Sequence, residues 1–258
     1  MASDTAAAAA PLLSVEGVGS GYGSMQVLWD VTLHVGRAEG VLLLGANGAG
    51  KTTLLRAISG SLPLRAGSIR LDGAGIDRLR ADQRVRRGAA IMTEQGVFPT
   101  LSVEDNLRLG AYTLPRASLR AVMAEMYELF PEVRSRRHDA VGSLSGGQRK
   151  LVAVAKALMC RPQVLIMDEP SAGLSPRYVK EVVAQLARVR ERGLALLVAE
   201  QNVAFLELAD RVYVLEGGHV RFEGTVDALE GDAAVREAFF GLGGPPSGGA
   251  GPASREQV

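Results

Sequence analysis

The spacing of apolar residues changes several times along the chain, and each change marks an element. Val31, Leu33 and Val35 alternate with Thr32 and His34, the period of a half-buried strand. Ile69 and Leu71 repeat that alternation ahead of an Asp72-Gly73 turn, so the early part predicts an antiparallel sheet. The run 41–44 is different: it is apolar throughout and ends at Gly45, as expected of a strand buried on both faces. Runs 164–168 and 194–199 read the same way. Between them Ser175 can cap a helix with Pro176 at its first position, and Val179, Val182, Val183, Leu186 and Val189 form its apolar stripe. Helices are predicted over 51–59, ending at Gly60, over 102–130 with a break at Leu114-Pro115, and over 145–160. Segments 212–215 and 220–223 flank Gly217-Gly218, a hairpin signal. Strands alternating with helices imply a parallel core sheet in an α/β fold, and no internal repeat is present.

Composition narrows the function classes. The 258 residues carry 29 basic and 28 acidic side chains and are 47% hydrophobic, enough for a real core. That balance gives no footprint for nucleic acid, which needs a basic face. Five arginines cluster over 78–87, and Arg134, Arg136 and Arg137 form a smaller group; both read as solvated helix faces. Cys160 is the only cysteine, so an internal disulfide and a multi-thiol metal site are excluded and a reducing compartment fits. His34, His138 and His219 show no ligand spacing. No apolar run approaches the ~20 residues of a membrane-spanning helix. Residues 1–11, alanine-rich without a basic start, read as a disordered leader, and 243–258, rich in Gly, Pro and Ser, as a disordered tail, leaving 12–242 as the folded body.

The chemistry concentrates in two distant places. The segment Gly45, Ala46, Asn47, Gly48, Ala49, Gly50, Lys51, Thr52 follows a buried strand and opens a helix, the context of a phosphate-binding loop. Its glycines let backbone N–H groups face inward, and the helix N-terminus adds to that anion site. Lys51 offers a point charge for the β- and γ-phosphates, the Thr52 hydroxyl can ligate Mg²⁺, and Thr53 reaches toward the α-phosphate. GVGSG at 17–21 lacks a following helix and is no dinucleotide loop. Asp168 ends a core strand, where open α/β sheets place their ligands, and can hold the Mg²⁺ shell. Glu169 beside it is positioned to polarise an attacking water. In Ser145, Gly146, Gly147, Gln148 the serine and glutamine form a capping box, and the same bare helix end can meet a phosphate; the two readings are compatible.

Together the phosphate loop, LSGGQ at 144–148 and LIMDEP at 165–170 resemble the ATP-binding cassette (ABC) ATPases over essentially the whole folded body. The resemblance implies a P-loop NTPase (RecA-like) core with an antiparallel β subdomain and a helical subdomain at about 96–144. It implies ATP and Mg²⁺ as ligands, and two cassettes closing head to tail. Lys51, Thr52, Asp168 and Glu169 would then act in cis, and Ser145 to Gln148 on the partner's nucleotide. Tyr22 matches the family's adenine-stacking aromatic, with plain strand packing as the alternative. Within the family the chain is similar to the shorter ATPase subunit of branched-chain amino acid importers, in stretches including 27–33, 43–60, 97–107, 168–176, 199–203, 208–220 and 236–241. Urea and short-amide importers and a lipopolysaccharide exporter use near relatives.

Two positions depart from the wider pattern. Gln201 replaces the switch histidine, as is frequent in the importer subfamily; its amide can hydrogen-bond a γ-phosphate but cannot become cationic. The loop that usually carries a Mg²⁺-contacting glutamine is one residue short, leaving Glu94 and Gln95 as candidates, with Gln95 preferred on chemistry. The resemblance further implies a second ATPase subunit, usually a different chain with a second copy of this one as the alternative, two membrane permease subunits, an extracytoplasmic substrate-binding protein and a peripheral position on the cytoplasmic face of the membrane. Phe98, Pro99 and 103–107 are candidates for the permease-facing surface, or for packing inside the helical subdomain. A soluble repair or ribosomal ATPase is disfavoured by the single cassette and the lack of a heptad run, and a non-hydrolysing regulatory module by Glu169.

Overall fold

The computed structural model describes residues 10–93 and 96–231. The chain runs β1 (Leu13–Tyr22), β2 (Met25–Val35), β3 (Gly40–Leu44), α1 (Lys51–Ser59), β4 (Leu64–Leu71), β5 (Ala74–Gly75), α2 (Ala81–Arg86) and β6 (Ala89–Met92). Three helices follow, α3 (Val103–Gly110), α4 (Arg116–Leu129) and α5 (Pro131–Ser135). Then come α6 (Gly146–Leu158), β7 (Val164–Asp168), α7 (Pro176–Arg190), β8 (Ala195–Glu200), β9 (Arg211–Glu216), β10 (His219–Gly224) and α8 (Val226–Gly231). The leader up to residue 9, Glu94 and Gln95, the 236–241 stretch and the tail lie outside the described residues.

Two sheets result. The early strands pair antiparallel in the order β2-β1-β4-β5. The second sheet has the order β10-β9-β3-β8-β7-β6, parallel except for the edge strand β10. This is the α/β architecture the alternation of elements predicts. β3 shows why its run is apolar throughout. Leu42 and Leu44 pack among residues of α6 and α7, such as Val154 and Val182, on one face. Val41 and Leu43 pack with Val15, Leu33 and Leu54, from the other sheet and α1, on the opposite face. The stripe of α7, Val179 through Val189, is buried as its spacing requires. Ser175 occupies the N-cap of α7, yet its hydroxyl accepts no cap bond.

One open alternative is decided and one surface expectation is corrected. Val103, Asn106 and Leu107 are buried, because α3 turns its apolar face onto α6. Asn106 also staples the preceding loop: its amide donates to the Phe98 carbonyl at 2.9 Å and its Oδ1 accepts from Phe98 N at 2.8 Å. The arginine cluster over 78–87 is not solvated throughout, since Arg84 is only 2% exposed. Its guanidinium donates to Ala57 O and Ile58 O at 2.8 and 2.7 Å, and to Leu79 O and Asp77 O at 2.9 Å each. The last carbonyls of a helix lack intrahelical partners, and a planar five-donor fork satisfies several at once. Burial pushes the Arg84 pKa down, with Asp77 opposing. Arg84 thus caps the helix whose other end is the phosphate loop.

Arg84→Ala strips donors from buried carbonyls that cost ~1–3 kcal/mol each when unsatisfied. A urea titration is expected to show at least ~3 kcal/mol of lost stability, with Arg84→Lys recovering part of it. A loss below ~1 kcal/mol would show that the cap is dispensable.

Candidate nucleotide-binding site

The site begins where β3 runs into α1. Gly48 and Gly50 take left-handed φ values of 81° and 110°, which curl the loop and aim the first amides of α1 outward. A Cβ on Gly45 would lie 2.7 Å from the Leu215 carbonyl, so this glycine is demanded by close backbone approach. The β9–β10 hairpin holds the loop from behind, with Gly218 N donating to Ala49 O at 2.9 Å. Lys51, 4% exposed, curls over the loop and donates to Gly45 O at 2.7 Å and Ala46 O at 3.2 Å. Its ammonium also pairs with Glu169 Oε1 at 3.4 Å.

Register assembles the other side. Leu44 lies opposite Glu200, and Asp168 opposite Ala199, so β3, β7 and β8 end at one level. Thr52 Oγ1 donates to Asp168 Oδ1 at 3.2 Å. Burial raises the Asp168 pKa; the Thr52 bond lowers it, adjacent Glu169 raises it, and Lys51 and Arg56 pull it down. Glu169 sits at φ 46°, an uncommon conformation for a residue with a side chain. Its N–H donates to Ala199 O at 2.9 Å, and its carbonyl closes a turn with Ala172 N at 3.1 Å. Gln201 ties the halves together: its Nε2 donates to Asn47 Oδ1 at 2.7 Å and to Glu169 Oε1 at 3.1 Å.

These groups surround a cleft of about 750 Å³ lined by Tyr22, Asn47, Gly48, Gly50, Lys51, Thr52, Thr53, Asp168 and Glu169. Gly45, Ala46 and Ala49 form the supporting side of the loop. Tyr22 stands at the outer end, 39% exposed, its hydroxyl accepting from Arg56 at 3.2 Å. A concave, mainly preformed cleft with an anion-binding helix end, a cation and two carboxylates is suited to a phosphorylated ligand. Thr52 and Asp168 offer the hard oxygen donors that Mg²⁺ takes. Among the described residues no group of three or more His, Cys, Asp or Glu could hold a metal.

Ser145, Gly146, Gly147 and Gln148 do not line this cleft. They open α6 as the capping box their sequence predicts: Ser145 Oγ accepts from Gln148 N at 3.3 Å, and Gln148 Oε1 from Ser145 N at 3.0 Å. Three supporting residues carry no local signal in the sequence. Glu132 accepts from Gln148 Nε2 at 2.8 Å. The Tyr178 ring lies against Gly147, where a Cβ would come within 2.1 Å of it, and its hydroxyl is 3.4 Å from Ser145 Oγ. Glu200, 2% exposed, is buried behind Gln201.

Among the described residues no helix is long and apolar enough to cross a membrane. Residues 28–172 match the ABC transporter family. The chain is 38% identical over 232 residues to BraG, the high-affinity branched-chain amino acid transport ATP-binding protein of Pseudomonas aeruginosa, covering 89% of this chain and 100% of that protein. It is 35% identical over 235 residues to LptB, the lipopolysaccharide export system ATP-binding protein of Escherichia coli K12, covering 89% and 97%. The fold superimposes on a nucleotide-free ATP-binding cassette of an ABC transporter with a TM-score of 0.80 at 23% identity, covering 88% of this chain and 98% of that one. The chain therefore belongs to the ABC transporter family, as an ATP-binding subunit in which ATP hydrolysis is coupled to transport.

Proposed function

We propose that this chain energises an importer of branched-chain amino acids from the cytoplasmic face of the membrane. The observation that carries the mechanism is the cluster of Lys51, Glu169, Gln201 and Asn47 at the carboxyl end of the sheet. Similarity to BraG over nearly the whole chain supports the cargo. LptB lies almost as near, so the cargo is the finer part of the reading.

In this reading the loop 45–50 and Lys51 bind the β- and γ-phosphates of ATP, Thr53 faces the α-phosphate, and the Tyr22 ring stacks on adenine. Thr52 and Asp168, with Gln95 or Glu94 as a further candidate, would hold Mg²⁺, which would supply positive charge against the phosphates. Glu169 accepts a proton from the water whose oxygen attacks the γ-phosphorus; the bond to the β–γ bridging oxygen breaks, leaving ADP and phosphate. Gln201, a neutral amide, keeps the Glu169 carboxylate oriented and faces the γ-phosphate. Ser145, Gly146, Gly147 and Gln148 contact the nucleotide of a second subunit packed head to tail. Their position outside the cleft of their own chain supports that role.

The second subunit is a different ATPase chain, by resemblance to the subfamily. Two permease subunits and, through them, an extracytoplasmic binding protein complete the assembly. The helical segment 96–144 works as a subdomain facing the permease. A groove of about 590 Å³ beside it supports this, with Phe98, Leu109 and Tyr112 exposed along it. Lys156 lies 4.3 Å from the Phe98 ring and donates to Gly96 O at 2.9 Å, which braces the groove wall.

Glu169→Gln is expected to bind ATP and pair with its partner but to turn over ~10²–10⁴-fold more slowly in a phosphate-release assay; unchanged turnover would sink the base assignment. Tyr112→Glu is expected to leave the ATPase activity of the isolated subunit intact and abolish co-purification with the permease pair; retained co-purification would move the permease seat elsewhere. Cells lacking the chain are expected to lose labelled leucine uptake and regain it with the intact chain but not with Lys51→Ala. Unchanged leucine uptake would refute the cargo and direct the same assay to urea and short amides.

A further inference from the structure

Glu200 is the last residue of β8 and is 2% exposed. Its carboxylate is spent on three backbone donors from two different loops. Ser171 N reaches Oε1 at 2.6 Å, while Gln201 N and Asn202 N reach Oε2 at 3.0 and 3.2 Å. Hydrogen bonds to a charged acceptor are roughly twice as strong as neutral ones. A carboxylate with an oxygen on each loop fixes one loop relative to the other. The loops are neighbours because Asp168 and Ala199 are paired across β7 and β8.

Glu169 lies between the points that this clamp controls. Its own N–H is fastened to Ala199 O at 2.9 Å, immediately before Glu200. Ser171, two residues beyond it, is fastened to the Glu200 carboxylate. On the other strand, fixing the N–H groups of Gln201 and Asn202 sets where the Gln201 side chain leaves the backbone. From there its Nε2 spans Asn47 and Glu169. The uncommon φ of 46° at Glu169 is the sort of conformation that persists only when its surroundings over-determine it.

We infer that Glu200 is a positioning residue for ATP hydrolysis: its buried carboxylate locks the 171–174 loop to the Gln201 loop, so that the Gln201 amide holds Glu169 against the γ-phosphate. It acts through Gln201 and Glu169 and not on nucleotide affinity. The inference rests on Glu169 being the base. It predicts a split between kcat and KM that a residue needed only for folding would not produce.

The test uses Glu200→Gln in the full chain. That variant keeps the shape and one acceptor oxygen but turns an NH₂ group toward backbone donors. ATPase kinetics and ATP binding are measured for it, for Gln201→Ala, for the double variant and for Glu169→Gln. The expected result is a kcat lower by ~10- to 100-fold, the size of effect that a small misplacement of reacting groups produces, with KM for ATP within about twofold. In the Gln201→Ala background the same change is expected to cost no more than about twofold further, because the two act in series. Three results would overturn the inference: normal kcat in Glu200→Gln, a rise in KM matching the fall in kcat, or full additivity with Gln201→Ala. If Glu200→Gln does not fold, Glu200→Asp, which keeps the charge and shortens the reach, carries the same expectations and the same refutations. Turnover in Glu169→Gln equal to that of the intact chain would indict the base assignment instead; a Glu169→Gln slowed ~10²–10⁴-fold beside a fully active Glu200→Gln would indict Glu200 alone.

Discussion

The register of β3, β7 and β8 is the constraint on which the rest of the molecule depends. All three strands are buried on both faces, and each face has its own partners. Leu42 and Leu44 belong to the helix-covered side, and Val41 and Leu43 to the side shared with α1 and the antiparallel sheet. A slip of one residue would exchange the faces of a whole strand. Fully buried Leu, Ile and Val side chains are worth ~1.5–3 kcal/mol each, so the register is held firmly. Its consequence is chemical. Residues far apart in sequence, Leu44, Asp168 and Glu200, finish at one edge. Lys51, Thr52, Asp168, Glu169 and Gln201 all sit at or just beyond that edge, while Tyr22 reaches the cleft from β1.

The apolar sheet explains why the polar groups beyond it are so fully engaged. A nearly buried ammonium cannot go without partners, and Lys51 has two loop carbonyls and Glu169. Glu169 is one-third exposed and is shared between Lys51 and Gln201. On the proposed reading, a γ-phosphate arriving in the cleft competes for the same Lys51 ammonium and the same Gln201 amide. Binding then exchanges partners instead of creating charge from nothing, and the exchange loosens Glu169 from Lys51.

Legibility in the sequence followed the range of the interactions. Periods of two and 3.6 residues act within a few positions, so β3, β7 to β10, parts of β2 and β4, the stripe of α7, the Gly60 stop and the 217–218 hairpin could be read directly, whereas β1, β5 and β6 were not. The phosphate loop and the capping box at Ser145 are also local, and their geometry follows from residues within three or four positions. Long-range satisfaction could not be read. Arg84 looks like one more solvated arginine until the carbonyls at the end of α1 are brought over it. Asn106 and Leu107 fall on a helix whose buried side is decided by α6. Glu200 ends an apolar strand and offers only a lone acidic residue, with its donors 29 positions away at Ser171 and next door at Gln201. Tyr178 and Gly147 meet across two helices, and no spacing rule connects them.

That last contact connects the cleft to the capping-box end of α6. The loop after Glu169 ends at Ser175, the N-cap of α7, and one turn later Tyr178 supports Gly147 and Ser145. Glu169 is thus linked to Tyr178 by a short stretch of chain, and the Tyr178 ring in turn packs against the LSGGQ helix end. In the proposed head-to-tail pair these two groups serve different nucleotides. A shift of the 171–174 loop at one nucleotide would then be delivered by the same chain to the other, through α7 and Tyr178. The cleft of a single chain is lined by a cation, a loop and two carboxylates and not by Ser145 to Gln148, and in the proposed pair the far side of the phosphates falls to the partner. Turnover on this reading depends on closure of the pair, and closure is the motion a permease can follow.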